Sequence, residues 1–465
     1  MFFQYIVNLF KIKLSTINKV VIQMTLIKRD LSHIWHPCSQ MKDCEKWPLL
    51  EIRRAYGSYL ELADGTRLID AISSWWCKSL GHGQPRLKAA LLRQVDQYEH
   101  VILANTCQET LVELSEKLAL LCPQLNKIFY ASEGASAVEI AVKMSLHSRQ
   151  ILGKQDQKKN RIMALQNAYH GETLLTLSLS DVGIYKKFYQ NWLMPVIFLQ
   201  DIPYVCSEAD PLWQDCGPAW INIENQLNEH IDDLSAIIVE PIVQGAGGML
   251  IYSQDFLKKL RAWTLKQDIH LICDEIMTGL GRTGFLLACE HAEIVPDFIC
   301  LGKGLTSGWL PMSAVLTTKD IYQLFYDDYE TGKSFLHSHT FSGNALAAAV
   351  ALETLKMMEE EKVCEKVREK QALLNQLMLD VARKTQRLTR VRCIGAIVAA
   401  DLILEDHQKH QRVGDEVFQN AIKLGAFLRP LGNTLYWLPP LNIENEILHE
   451  LKDISVQAIN KTFRI

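Results

Sequence analysis

An amine, a carboxylate and a glycine-rich turn follow three of the apolar runs in this chain. Lys303 lies between two glycines in FICLGKGLTSG, Asp274 closes IHLICDE, and Gly134 lies in ASEGASAVE before a helical pattern. Ligands of open parallel sheets collect at the carboxyl ends of the strands, so these groups are expected to lie near one another. Taken singly, Lys303 and Asp274 are as well explained by solvated loop ends. Together they form a candidate site.

Pyridoxal phosphate (PLP) is a cofactor that would use all three groups. Its aldehyde forms a Schiff base with a lysine amine, which must be partly desolvated to be nucleophilic. Its pyridine nitrogen needs a carboxylate that keeps the ring protonated, and its phosphate suits the N–H groups at a helix N-terminus. Tyr169 in NAYHGE is a candidate for the ring face, although a buried core tyrosine would give the same pattern.

Two further patterns suggest competing chemistry. TGLGRTG has Gly279, Gly281 and Gly284 at GxGxxG spacing, but DEIMT separates them from the preceding run and no phosphate-facing helix pattern follows. A glycine-rich active-site loop is therefore a better interpretation than a dinucleotide site. His337 and His339 in HSHTF have no partner ligands at zinc spacing, so no metal site is predicted.

The elements that must position these residues alternate from about residue 85 to 345. The runs predicted as strands are NKIFYAS, RIMALQNAYHG, SAIIVEPIVQG, IHLICDE, FICLGKG and MSAVLTT, and helices are predicted over 108–122 and 134–148. Because these runs are continuously apolar, we predict an α/β domain with a mostly parallel sheet covered on both faces.

The flanking segments are predicted to form a smaller α+β domain. EIRRAYGSYLELADGTRLID alternates and turns at ADG, as a hairpin would. ALETLKMMEEEKVCEKVREKQALLNQL is predicted as one long charged helix, followed by strands near VRCIGAIVAADL and TLYWLPP and a final helix. The predicted boundaries are 1–23 for an N-terminal extension, 24–84 for the N-terminal segment of the small domain, 85–345 for the large PLP-binding domain and 346–465 for the C-terminal α+β domain.

Composition indicates an ordinary globular protein. Of 465 residues, 48% are hydrophobic and 22% charged, and a net charge of -4 gives no reason to expect nucleic acid or an anionic membrane as partner. The 12 cysteines include no CxxC pair and are expected to be reduced, in the cytoplasm. Residues 1–23 resemble neither a membrane span nor a signal peptide, so we expect a disordered extension or the product of an upstream start.

AIIVEPIVQGAGG, LICDEIMTGLGRTG and LGKGLTSG resemble the class III, fold-type I, PLP-dependent aminotransferases, and the resemblance runs from about residue 32 to the C-terminus. It implies an α/β fold with a large domain, whose mostly parallel sheet is of the seven-stranded type, and a smaller α+β domain. IWHP, SSWWCKSLGHG, YHGET, CEHAEIVPD and LRPLGNTLYWLPP are similar to the members that aminate 8-amino-7-oxononanoate in biotin biosynthesis, with S-adenosylmethionine as amino donor.

Carried over by motif, the resemblance makes Lys303 the Schiff-base lysine and the proton shuttle. It assigns Asp274 to the pyridine nitrogen. Gly134 and Ala135 occupy the phosphate turn, and Tyr169 lies near the ring and the substrate.

On the substrate side, the resemblance implies that Trp75 and Trp76 wall a channel and that Arg429 takes the acceptor's carboxylate. An aromatic slot ending in a guanidinium suits an apolar chain with one carboxylate, although the tryptophan pair alone would indicate core packing. Ser338, near the substrate, and the cofactor-binding His339 and Thr340 match a loop that reaches in from the other subunit. A homodimer with shared active sites is therefore implied.

The sequence departs from the family pattern in three motifs. Cys38 replaces the usual tyrosine after HP, Ala135 replaces a serine of the phosphate turn, and Ser338-His339-Thr340 replaces Gly-Pro-Thr. These departures leave lysine as an alternative amino donor. An ω-aminotransferase for 4-aminobutyrate or ornithine is a second alternative, against which SSWWC and Arg429 argue. A non-catalytic PLP-fold protein that binds a partner is a third, but it would have no need of the lysine–aspartate pair.

Overall fold

The computed structural model describes residues 25–153, 158–408 and 411–464, so the expectation for residues 1–23 lies outside the described chain. The strands are β1 (Ile52–Tyr56), β2 (Tyr59–Leu62), β3 (Arg67–Asp70), β4 (Lys127–Ala131), β5 (Arg161–Leu165), β6 (Ile197–Leu199), β7 (Tyr204–Val205), β8 (Leu234–Val239), β9 (Val243–Gln244), β10 (Leu250–Tyr252), β11 (His270–Asp274), β12 (Phe298–Leu301), β13 (Ser313–Thr317), β14 (Leu388–Ile394), β15 (Ile397–Leu402), β16 (Ala426–Phe427) and β17 (Thr434–Trp437). The α-helices are α1 (Leu26–His33), α2 (Ser73–Trp76), α3 (Pro85–Val95), α4 (Glu109–Leu121), α5 (Gly134–Leu152), α6 (Leu174–Ser178), α7 (Gly183–Lys186), α8 (Pro211–Gln214), α9 (Gly217–Asn228), α10 (Gln254–Lys266), α11 (Lys319–Phe325), α12 (Ala345–Glu360), α13 (Val363–Thr385), α14 (Val413–Leu424) and α15 (Asn445–Phe463).

The chain divides into two compact units. The first runs to Ala55 and includes Leu60–Leu68, and the second contains Tyr56–Tyr59 and everything from Ile69 onward. In the first unit the turn predicted at ADG is confirmed, because Leu62 N donates to Thr66 O (2.8 Å) across residues 63–65.

The second unit is built on a seven-stranded sheet of order β4-β13-β12-β11-β8-β5-β6. Strands β12, β11, β8, β5 and β6 are parallel neighbours, whereas β13 runs antiparallel to both β12 and β4. All six predicted strands are present, and the mostly parallel sheet is confirmed. Strand β6 was not predicted, because three apolar residues are too few to give a pattern.

Sheet register brings the candidate residues to one edge. Asp274 ends β11 opposite Cys300 of the parallel strand β12, and Lys303 follows β12 two residues after its end. The reversed strand β13 begins at Ser313, opposite Ala131 of β4. Ser313 Oγ donates to Glu133 O (2.7 Å), which fixes the chain just before α5.

The prediction of one long charged helix is wrong. Helix α12 ends at Glu360 and α13 begins at Val363. Lys362 between them has φ 51°, a left-handed conformation that interrupts the right-handed repeat. The polar stretch EEEK carries no hydrophobic periodicity, so the sequence pattern does not reveal the break.

The C-terminal strands form an antiparallel sheet of order β14-β15-β17, and α15 is the predicted final helix. Strand β16 leaves this region and pairs in parallel with the end of β3, where Phe427 lies opposite Asp70. This pairing brings Arg429 toward the tryptophan pair. Among the described residues, no helix combines the length and the apolar character needed to cross a bilayer.

Candidate active site

Lys303 begins a short 3₁₀ turn after β12, with its backbone in the left-handed region at φ 39°. Its Nζ lies 4.6 Å from the centroid of the Trp76 ring. Burial lowers the pKa of the Lys303 ammonium below that of an ordinary lysine, while the Asp274 and Glu240 carboxylates act in the opposite direction. The amine is therefore neutral, and able to act as a nucleophile, at lower pH than a surface lysine.

Asp274 is a buried carboxylate held by a histidine. Its Oδ2 lies 2.8 Å from His170 Nδ1, and its Oδ1 accepts from Ile276 N (3.1 Å). Because a carboxylate can only accept, Nδ1 donates, and His170 Nε2 has no hydrogen-bond partner among the described residues. Sequence analysis assigned no role to His170, although it lies at the end of the RIMALQNAYHG run beside Tyr169.

Glu240 joins the ends of β8 and β5. Its carboxylate accepts from Tyr169 N and from Gly245 N, both at 2.9 Å. Burial raises the pKa of Glu240 to about 7, although His170 and the Tyr169 N–H group act to lower it. Glu240 thus fixes the backbone that carries Tyr169 and His170, a role that sequence analysis did not assign.

Tyr169 is half-buried, and its hydroxyl makes a polar contact. Its hydroxyl donates to Glu172 Oε1 (2.9 Å), and its ring meets Tyr185 edge-on with the centroids 6.4 Å apart. The tyrosine is therefore not a fully enclosed core residue, and its ring remains a candidate surface for a cofactor or substrate.

Helix α5 offers a free N-terminus in the predicted phosphate turn. Glu133 at the N-cap makes no capping bond with its side chain and instead accepts from Ser136 Oγ (2.8 Å). A Cβ added at Gly134 would lie 2.8 Å from Ile276 Cδ1, so glycine leaves the first turn open. The backbone N–H groups of Gly134 and Ala135 can therefore bind an anion.

The tryptophan pair separates Lys303 from Arg429. Trp76 is buried and its Nε1 donates to the Tyr436 hydroxyl (2.9 Å), while its ring lies against the Lys303 amine. Trp75 is 46% exposed, and the Arg429 guanidinium carbon lies 4.7 Å from its ring centroid. The structure thus brings together Lys303, both tryptophans and Arg429.

Arg282 of the glycine-rich loop is a further cation that sequence analysis did not assign. It is buried, its Nη1 donates to Pro439 O (2.6 Å), and its Nη2 has no partner among the described residues. Burial lowers the pKa of its guanidinium to about 9, against the opposing effects of Cys77 and Asp70. An unpaired buried donor of this kind suits an anionic or carbonyl group of a ligand.

The loop with Ser338, His339 and Thr340 is not assembled with these groups in a single chain. Ser338 and Thr340 are exposed, and His339 Nε2 lies 3.1 Å from His337 Nε2. Within the described ranges, no hydrogen bond or ring contact joins the three residues to Lys303 or Asp274. Cys38, in the first unit, is exposed.

The described residues contain no group of three or more side chains placed to hold a metal ion. They do fit PLP, because a buried carboxylate, a lysine of lowered pKa and an open helix N-terminus lie at one sheet edge. The fold and the site therefore define a PLP-dependent transferase of fold type I.

Comparison with known proteins agrees with this class. The aminotransferase class-III family model matches residues 41–459. Adenosylmethionine-8-amino-7-oxononanoate aminotransferases from Helicobacter pylori and Aquifex aeolicus are 39% and 35% identical, covering 91% and 94% of this chain and 95% and 97% of theirs. The chain belongs to the class-III aminotransferases, and PLP is its cofactor.

Solved structures give the same result. The adenosylmethionine-8-amino-7-oxononanoate aminotransferase from Methanocaldococcus jannaschii superposes with a TM-score of 0.84 at 29% identity, covering 94% of this chain and 98% of the other. An amine transaminase from an uncultivated Pseudomonas species, in its PLP-bound form, gives a TM-score of 0.85 at 26% identity, with 92% and 98% covered.

Proposed function

We propose that this protein transfers an amino group from S-adenosylmethionine to 8-amino-7-oxononanoate, forming 7,8-diaminononanoate for biotin biosynthesis. One observation carries the proposal: the Lys303 amine lies over the Trp76 ring and the Arg429 guanidinium lies over the ring of the adjacent Trp75. An acceptor with an apolar chain, a ketone near one end and a carboxylate at the other fits this order of amine, aromatic pair and guanidinium. The names of the Helicobacter and Aquifex relatives support the same acceptor and donor.

The cofactor would be held by groups already in place. The N–H groups of Gly134 and Ala135 would bind its phosphate, and Tyr169 would cover its ring. The Asp274 carboxylate, oriented by His170 at 2.8 Å, would keep a pyridine nitrogen protonated. When bound, PLP supplies an electron sink for the carbon that bears the amino group.

Lys303 would carry the proton in this reaction. Its pKa is lowered by burial, so the neutral Nζ can take a proton from the amino-bearing carbon of the donor and return one to the carbonyl carbon of the acceptor. The Trp76 ring covers one side of Nζ and limits the access of water. Arg429 would bind the acceptor's carboxylate, with Trp75 as the neighbouring apolar surface.

We also propose a homodimer whose Ser338–Thr340 loop completes the partner's site. The exposure of Ser338 and Thr340, and the absence of contacts from this loop to Lys303 within one described chain, support that arrangement. The cytoplasm is proposed as the compartment, which the twelve free thiols favour.

The donor and acceptor can be tested together. The purified PLP-loaded enzyme is incubated with 8-amino-7-oxononanoate and, separately, S-adenosylmethionine, lysine, ornithine or 4-aminobutyrate, and diaminononanoate is quantified by mass spectrometry. We expect product with S-adenosylmethionine. Product with lysine alone would keep the acceptor and replace the donor, which is the alternative that the Cys38 departure raises. No product with any donor, together with turnover of 4-aminobutyrate or ornithine on another ketone, would contradict the proposal.

A further inference from the structure

The turn that presents the tryptophan pair has an unfavourable backbone. Ser73, Ser74 and Trp76 have φ values of 52°, 62° and 65°, in the left-handed region that favours glycine. None of these residues is glycine, so the surrounding structure must hold the turn in place. Ser73 Oγ supplies one anchor by donating to Leu438 O (2.7 Å).

A buried carboxylate at the base of the turn supplies the other anchors. Asp70 is fully buried, its Oδ2 accepts from Ser74 N at 2.6 Å, and its Oδ1 accepts from Ile72 N at 3.3 Å. Oδ2 also lies 2.7 Å from Nε2 of His82, which is buried as well. A carboxylate that accepts from several donors holds them in one geometry.

The backbone of His82 is itself held by two hydrogen bonds to Gly57. Its backbone N donates to Gly57 O (2.8 Å) and its O accepts from Gly57 N (2.9 Å). The imidazole therefore approaches Asp70 from a rigid segment and holds the carboxylate in the orientation that the Ser74 N–H group requires. The Asp70–His82 pair touches neither the Lys303 amine nor the Arg429 guanidinium in any hydrogen bond or ion pair of the described residues.

The end of β3 also sets the position of Arg429. Asp70 lies opposite Phe427 in the β3–β16 pairing, and Ala71 N donates to Phe427 O (3.2 Å). Arg429 follows Phe427 by two residues and lies over the Trp75 ring. Asp70 therefore holds the tryptophan turn through its side chain, and the backbone of the next residue, Ala71, holds the strand that leads to Arg429.

We propose that Asp70 and His82 are positioning residues that set the distance between the amine end and the carboxylate end of the acceptor slot, and so select the acceptor's chain length. This inference rests on the proposed function. Loss of the pair would relax the tryptophan turn, so that Arg429 no longer meets a carboxylate at the distance fixed by a nine-carbon chain.

Two substitutions of His82 separate positioning from bulk stability. His82→Gln can place an amide donor where Nε2 lies, whereas His82→Leu removes the donor. The probes are nonanoate and heptanoate, which cannot be aminated, and their dissociation constants are measured by calorimetry on the PLP-loaded enzyme. In the wild type, we expect nonanoate to bind about tenfold more tightly than heptanoate, because a slot of fixed length lets the longer acid reach Arg429 while its two additional methylenes stay buried.

For His82→Leu, we expect nonanoate to bind about tenfold more weakly and the preference over heptanoate to be lost. The KM for the acceptor should rise, while the KM for the amino donor changes less than about twofold, and His82→Gln should stay near the wild type. Asp297→Asn, which disturbs a carboxylate bound by Arg261 and Leu271 N, is the control for general destabilisation and should keep the length preference.

Folded His82→Leu protein with wild-type nonanoate affinity and length preference would overturn the inference, as would equal effects of the leucine and glutamine substitutions. If the wild type binds neither acid, the proposed acceptor fails and this inference fails with it. If the wild type binds nonanoate and only the His82 result is negative, the proposed function stands.

Discussion

At the scale of single residues, Lys303 is defined by what surrounds its amine. The Trp76 ring lies 4.6 Å away, burial lowers the pKa, and two carboxylates act in the opposite direction. The neutral form of the amine, which takes the proton, is therefore reached at lower pH than in a surface lysine. Of the two carboxylates, Asp274 is closer to Lys303 in sequence than Glu240 is, and it ends the strand next to the one that Lys303 follows.

Replacement of Asp274 by asparagine tests its charge. We expect Asp274→Asn to lower kcat by roughly 100- to 1000-fold, because breaking a buried charged interaction costs several kcal/mol. Steady-state kinetics of diaminononanoate formation measures the loss. Asp297→Asn, which changes a carboxylate at the start of the neighbouring strand, is the matched control and should keep kcat within a few fold. Similar losses in both variants would show that general destabilisation, rather than the site's charge, is responsible.

Some of these residues could be predicted from the sequence and others could not. Lys303 and Asp274 close apolar runs, so strand ends alone bring them together. His170 and Glu240 act through hydrogen bonds to residues about 70 to 100 positions away, and no local pattern encodes such pairs. Arg282 was not predicted, because the glycine spacing of TGLGRTG gives no information about the arginine between the glycines.

At the scale of elements, the start of α5 depends on the space around Gly134. An alanine Cβ there would lie 2.8 Å from Ile276 Cδ1, so Ile276 or the helix start must shift. We expect Gly134→Ala to raise the dissociation constant of PLP about tenfold, the scale of one phosphate-binding hydrogen bond. Absorbance titration of the cofactor-free protein measures it.

The double variant Gly134→Ala/Ile276→Val removes Cδ1 and provides the control. Part of the lost affinity should return, because the closest clash is gone. An unchanged affinity in Gly134→Ala, or no recovery in the double variant, would contradict this account of the phosphate turn.

Glu275, directly after β11, makes the free energy of unfolding depend on pH. Glu275 is buried, accepts from Ala288 N and Cys289 N, and has its pKa raised by burial to about 7, from an ordinary value of 4.5. The folded state therefore holds this proton more tightly than the unfolded state. Its stabilising contribution is complete below about pH 4.5 and is lost as pH rises through about 7.

Glu275→Gln should remove this dependence. Between pH 5 and 7.5, the Tm of the wild type should fall relative to that of the variant, because only the wild type acquires a buried charge at this position as pH rises. Differential scanning fluorimetry across that range measures it, with the exposed Glu229→Gln as control. A Tm difference that stays constant with pH would contradict the raised pKa.

Elements were predicted where periodicity is long and missed where it is short. The six apolar runs are strands and the hairpin turn at ADG forms, because each pattern covers several residues. The break at Lys362 and the pairing of β16 with β3 depend on one backbone conformation and on contacts between distant segments. The antiparallel direction of β13 could not be predicted either, because an apolar run does not show which way a strand runs relative to its neighbours.

At the scale of the whole molecule, the proposed homodimer predicts complementation between two inactive variants. Lys303→Ala lacks the amine, and His339→Ala/Thr340→Ala lacks the loop groups that the partner's site would need. After unfolding and refolding of a 1:1 mixture, half of the dimers are mixed and each mixed dimer has one intact site. Activity should therefore recover to about a quarter of the wild type.

Product formation and light scattering of the mixture measure recovery and mass. Refolding of each variant alone is the control and should give no such gain. A monomeric wild type, or a mixture no more active than its parts, would contradict shared sites.

The most direct measurement follows the transferred nitrogen itself. PLP-loaded wild type and Lys303→Ala are each incubated with 8-amino-7-oxononanoate and S-adenosylmethionine labelled with ¹⁵N in its amino group, and the diaminononanoate is analysed by mass spectrometry. We predict one ¹⁵N atom in the product of the wild type and no product above background from Lys303→Ala of unchanged Tm. Labelled product from Lys303→Ala at the wild-type rate, or no labelled product from the wild type, would contradict the account.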